Sequence, residues 1–127
     1  YVFEREIERG TLLTFKPNFR ETDDFIQSPY MDNRLGVWSA LKVAESLTDG
    51  AIVFSTYEEH GGNTVGFCSD YLVKKYGVYQ ALISDITWVT DGVTHGKGVA
   101  ISMRDSGLPR KSYLDKIISL ANDSGIK

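Results

Sequence analysis

The sequence predicts an α/β fold, a mixed and mostly parallel sheet flanked by helices. Short apolar, β-branched runs at residues 51–57, 79–83 and 99–103 have the character of strands covered on both faces. Segments with apolar residues at spacings of three and four lie before the first run, between the first two and after the last. Strands alternating with helices imply a sheet carrying helices on its faces.

Residues 1–26 read as extended and turn material. Thr11-Leu12-Leu13-Thr14-Phe15 is β-prone, and Lys16-Pro17-Asn18 closes it as a turn. A second region opens at Ser28-Pro29. From Asn33 onward Val37, Leu41, Ala44 and Leu47 define one face of a helix that Asp49-Gly50 ends. The run of residues 51–57 stops at Glu58-Glu59. Beyond the Gly61-Gly62-Asn63 loop, Cys68, Tyr71, Leu72 and Tyr76 mark a second helix, closed by Gly77 where a left-handed cap costs least. Ser84-Asp85 ends the next strand, and a polar, Gly-rich loop leads to residues 99–103. The last helix has the clearest signal. Ser112 and Asp115 have capping-box spacing, with Asp in place of Glu, and Leu114, Ile117, Ile118 and Ala121 fit one helical face without a miss. Trp38 and Trp88 are expected in the core or in a pocket wall.

An apolar fraction of 42% without low-complexity runs places the 127-residue chain among ordinary globular proteins, expected to bury roughly two thirds of its unfolded surface. Its 14 basic and 17 acidic residues are mixed along the chain, so no basic face is offered to a nucleic acid or an anionic membrane. Cys68 stands alone without metal-finger spacing, which fits a reducing compartment, and the cytoplasm is the expected location. No apolar run is long enough to span a bilayer, and Tyr1-Val2-Phe3-Glu4-Arg5 lacks a signal-peptide pattern. A start without Met and an end at Gly125-Ile126-Lys127 lead to the expectation of an internal piece of a longer polypeptide.

In open α/β sheets ligands gather beyond the carboxyl ends of the strands. Those ends are acidic here: Asp32 before the first helix, Glu58 and Glu59 after one strand, Asp85 after the next. Carboxylates brought together repel one another, and divalent cations are the natural remedy. Two such ions balance Asp32, Glu59, Asp85 and a bridging hydroxide, which leaves Glu58 to move protons. Each residue also has a plainer reading: a solvated strand end for Glu58-Glu59, a helix N-cap for Asp32, a turn residue for Asp85. The case therefore rests on all four in order. His60 and His95 are loop histidines and are not taken as ligands. A metal-independent glycosidase using a carboxylate pair, or an inert scaffold or assembly module, are the alternatives.

Asp32-Asn33-Arg34-Leu35-Gly36-Val37 resembles the Asp-Asp-Arg-x-Gly segment of the tetrahedral-type (TET) zinc aminopeptidases, which include glutamyl and deblocking aminopeptidases. Thr56-Tyr57-Glu58-Glu59-His60-Gly61 is similar to their Glu-Glu-x-Gly signature, and Ala81 to Thr87 with Gly96-Lys97-Gly98 to their Asp-x-Thr and Gly-x-Gly elements. The resemblance implies a zinc-peptidase-like catalytic domain. Asp32 would bridge two divalent ions, Zn²⁺ first and Co²⁺ or Mn²⁺ as options; Glu59 and Asp85 would bind one each, and Glu58 would be the general base. It also implies two histidine ligands in segments absent from this sequence, so the isolated chain is expected to be incomplete. On this resemblance residues 1–26 are the tail of an inserted β-rich domain and residues 27–127 a partial catalytic domain. Short peptides as substrates and a homo-oligomeric assembly are implied as well. Asn33 departs from the usual Asp, and His60-Gly61-Gly62-Asn63 replaces an apolar residue and a Gly-Leu-Arg-Gly-Ala run. Both departures bear on substrate preference more than on the ligands.

Overall fold

A computed structural model describes residues 2 and 4–125; the readings that touch Tyr1, Phe3, Ile126 and Lys127 lie outside the described residues. The chain divides into two units, residues 1–86 and 87–127.

In the first unit a short antiparallel hairpin pairs β1 (Arg20–Glu21) with β2 (Ile26–Gln27), Arg20 opposite Gln27 and Glu21 opposite Ile26. Thr22 makes its turn: the backbone N–H groups of Asp24 and Phe25 donate to the Thr22 hydroxyl, and the Thr22 N–H donates to the Phe25 carbonyl at 2.9 Å. The β-prone stretch at residues 11–15 forms no ladder. It is held instead by Tyr30, whose hydroxyl accepts from the Phe15 N–H at 2.9 Å and bonds the Thr14 hydroxyl.

Helix α1 spans Met31–Ala44. It ends before the expected Leu47 because the chain tightens into three-residue bonds, from the Glu45 N–H to Lys42 and from the Ser46 N–H to Val43. Val37, Leu41 and Leu47 stay exposed, and Gly36 is buried. A 3-10 turn at Glu58–His60 then precedes α2 (Asn63–Tyr76) and touches it. Gly77 closes α2 in the left-handed region at φ 64°, as its position in the sequence implies. The inward stripe of α2 is Thr64, Cys68 and Leu72, all half-buried, rather than one containing Tyr71 and Tyr76. Those two rings flank Lys75, whose ammonium donates to the Tyr71 hydroxyl at 2.6 Å and lies 5.0 and 5.2 Å from the two ring centres. The bonds to Tyr71 and then Tyr76 hold that ammonium above its ordinary pKa.

In the second unit Thr90 and Val93 pair across an Asp91-Gly92 turn, and α3 covers Lys111–Asp123. Tyr113, Leu114, Ile117, Ile118 and Ala121 form its half-buried face, which contains every residue the spacing marks. The expected capping box does not form. The helix starts two residues earlier than Ser112 at the N-cap would require, with the Arg110 carbonyl accepting from Tyr113 and Leu114, and Asp115 pairs with Lys111 at 2.6 Å instead.

Among the described residues no hydrophobic side chain is buried. The chain presents 12333 Å² of accessible surface at 14.2 kDa, where a closed folded monomer presents about 6,800 Å². Folding thus removes only about 40% of the unfolded surface instead of the expected two thirds. The reason is visible in residues 51–57, 79–83 and 99–103, which form no strand ladder among the described residues. Without ladder partners these apolar runs have nothing to pack between. Trp38 and Trp88, expected inside, are 58% and 85% exposed. No helix of the described residues is long and apolar enough to cross a membrane.

Candidate functional site

Asp32 sits where extended chain turns into helix. Its backbone (φ −78°, ψ 113°) and that of Asn33 (φ −115°, ψ 52°) are not helical, the peptide between them is cis, and regular turns begin only at Arg34. Asn33 therefore caps the helix. Its Oδ1 accepts the Gly36 N–H at 2.8 Å, the bond expected between an N-cap side chain and the third helical residue. This removes the plainer reading of Asp32 as the N-cap. The Asp32 carboxylate is exposed and makes no hydrogen bond or ion pair among the described residues.

The second amide atom of Asn33 reaches across the chain. Nδ2 donates to the Ser84 carbonyl at 2.7 Å, linking the residue after Asp32 to the residue before Asp85. Asp85 itself accepts the Ile86 N–H on Oδ1 at 2.8 Å. Gly36 lies under this link, where an added Cβ would collide with the Asn33 amide and lie 2.6 Å from the Ser84 carbonyl oxygen.

Glu58 and Glu59 lie on the 3-10 turn rather than on a strand running out. Residues at both ends are left-handed: Tyr57 at φ 63°, Gly61 at φ 105° and Gly62 at φ 65°. The Tyr57 carbonyl accepts from His60 at 3.1 Å and from Gly62 at 2.8 Å, and the Glu58 carbonyl accepts from Gly61 at 3.0 Å. Successive residues of such a turn point about 120° apart, so adjacent glutamates can face different partners. Thr64, in the first turn of α2, fixes the approach: its hydroxyl accepts the Thr56 N–H and donates to the Thr56 carbonyl, both at 2.8 Å.

Sequence reasoning did not reveal Asn33, Thr64 or the left-handed tyrosines Tyr30 and Tyr57. A non-glycine residue at positive φ costs roughly 1–2 kcal/mol, and such residues concentrate at functional sites. Tyr30 stands two residues before Asp32 and Tyr57 one before Glu58. Nothing in local spacing marks a tyrosine for that conformation.

The four acidic residues all belong to the first unit. No three His, Cys, Asp or Glu side chains among the described residues are placed to hold one metal ion, so Asp32, Glu59 and Asp85 do not by themselves form a metal site here. The His60 ring is tilted 55° to that of Tyr57, ring centres 6.3 Å apart, and His95 lies in the second unit; neither completes a donor set among the described residues.

A model of the M42 glutamyl aminopeptidases matches residues 2–127. The chain belongs to that family. Membership makes it a chain of peptidase lineage, a hydrolase family, and the motifs around Asp32, Glu58-Glu59 and Asp85 all fall within the matched span. No curated protein and no solved structure matched the chain.

Proposed function

We propose that this M42 chain carries part of the active site of a metal-dependent aminopeptidase that removes N-terminal residues from short peptides. The family match across residues 2–127 carries the reading. It is supported by the freedom of the Asp32, Glu58 and Glu59 side chains, which no hydrogen bond or ion pair occupies among the described residues. By contrast Glu45, Asp70 and Asp115 are all held in ion pairs with lysines.

Glu58 is the general base in this reading, taking a proton from the attacking water and passing it to the departing amine. Asp32, Glu59 and Asp85 are the proposed ligands of two divalent ions, Zn²⁺ first, with Co²⁺ or Mn²⁺ as alternatives. Their present arrangement needs further donors to hold either ion. The mostly parallel sheet with flanking helices, the division at residue 26, homo-oligomeric assembly and a cytoplasmic location belong to the same proposal.

The test is hydrolysis of aminoacyl substrates with and without a chelator, in the complete polypeptide that contains this segment and in its Glu58→Gln variant. The expected outcome is loss of activity on chelation and a fall in kcat of about 10²–10⁴ in the variant, with metal content unchanged. Turnover that survives both treatments would remove the peptidase assignment and favour a carboxylate-pair glycosidase. The absence of a three-donor group among the described residues favours a second reading, an inert scaffold within a larger assembly. Metal analysis of the purified chain by atomic emission addresses it: no bound metal favours inertness of this chain, though not of a longer parent.

A further inference from the structure

We infer that Asn33 is a positioning residue, a two-handed amide that holds the Asp32 segment against the Asp85 segment. The inference rests on the peptidase reading only for what the two aspartates do; the bridge stands on the structure.

A side-chain amide carries an acceptor and a donor on a single carbon, in fixed and opposite directions. Asn33 uses both, accepting from Gly36 at 2.8 Å and donating to Ser84 at 2.7 Å across 51 residues of sequence. The orientation is fixed by chemistry. Turning the amide over would set donor against the Gly36 N–H and acceptor against the Ser84 carbonyl, losing both bonds. Each end of the bridge is one residue from an aspartate, so the amide sets the spacing of Asp32 and Asp85 without touching either carboxylate. Gly36, the buried residue of α1, makes room for it, because any side chain there would strike Asn33 and the Ser84 oxygen.

An ordinary helix cap needs only the bond to Gly36. Serine at position 33 can supply that bond, and aspartate, the usual residue in the resembling enzymes, supplies it with the same shape as asparagine. Neither donates to Ser84 as an ionised or short side chain. Asn33→Ser and Asn33→Asp therefore separate capping from bridging.

Amide resonances and zinc binding by titration calorimetry would be measured on the full chain for wild type and both variants. The bridge predicts that the Gly36 amide stays protected in both variants while the Ser84, Asp85 and Ile86 resonances move. In Asn33→Ser it also predicts that zinc affinity falls about 10- to 100-fold, the range for groups that orient ligands from behind. Unmoved Asp85 and Ile86 resonances, whatever the zinc result, would overturn the proposal. Moved resonances uphold the bridge whether or not the chain takes up zinc, and the peptidase reading stands or falls separately on loss of activity under chelation.

Discussion

Thr64 makes a pair of bonds to the backbone of one residue, Thr56, and their removal has a definite expected result. Thr64→Val keeps the shape and loses both bonds, each worth about 0.5–1.5 kcal/mol when intact, with the lower end apt because the site is only half-buried. The expected loss is about 1 kcal/mol in denaturant titration, with Thr64→Ser retaining most of the stability. Because Thr56 leads directly into Glu58, kcat should fall in Thr64→Val while KM changes little; an unchanged kcat would show that the clamp has no bearing on Glu58. The acidic quartet is proposed from the sequence because each member follows an apolar run or opens a helix. The bonds made beside it were not legible there. Asn33 and Thr64 act on partners 51 and 8 residues away, and no local spacing encodes such a bond. Tyr30 and Tyr57 are left-handed although tyrosine does not favour that region, and the Tyr30 hydroxyl and the Tyr57 carbonyl are both engaged by neighbours.

The two helical glycines of the first unit make opposite predictions about the elements they sit in. In α1, Gly36→Ala places a methyl 2.6 Å from the Ser84 carbonyl, against atoms fixed by the Asn33 bridge, and overpacking of this kind costs about 1–3 kcal/mol. In α2, a Cβ at Gly66 meets nothing within 4 Å, so Gly66→Ala should stabilise by about 0.4–1 kcal/mol through lower unfolded-state entropy and better helix propensity. Thermal melts of the two variants against wild type give the sign directly, and destabilisation by Gly66→Ala would mean that α2 is covered on that side. Helices were readable because their signals are local: the face of α3 from Leu114 to Ala121 and the Gly77 stop need no distant partner. Strands are different. Residues 51–57 have the composition of a central strand, yet a strand exists only where another backbone answers its N–H and C=O groups, and that is a property of pairing rather than composition.

At the scale of the whole molecule, exposed apolar area decides how the isolated chain should behave. The slope of unfolding free energy against denaturant is proportional to the surface uncovered on unfolding. A chain that buries about 40% of its unfolded surface instead of two thirds should therefore show a slope about six tenths of that of a closed protein of the same length. Large side chains such as Phe67, Tyr79, Ile83 and Trp88 stand 74%, 79%, 84% and 85% exposed, enough to bind an apolar dye such as ANS. Urea titration followed by far-ultraviolet circular dichroism, with dye fluorescence on the same samples, tests both expectations. A full-sized slope with no dye binding would mean that the apolar runs are covered in solution by the chain itself. Addition of Zn²⁺ should raise the slope and lower the dye signal together if metal binding closes the Asp32, Glu59 and Asp85 region. A rise in one without the other would separate metal uptake from folding.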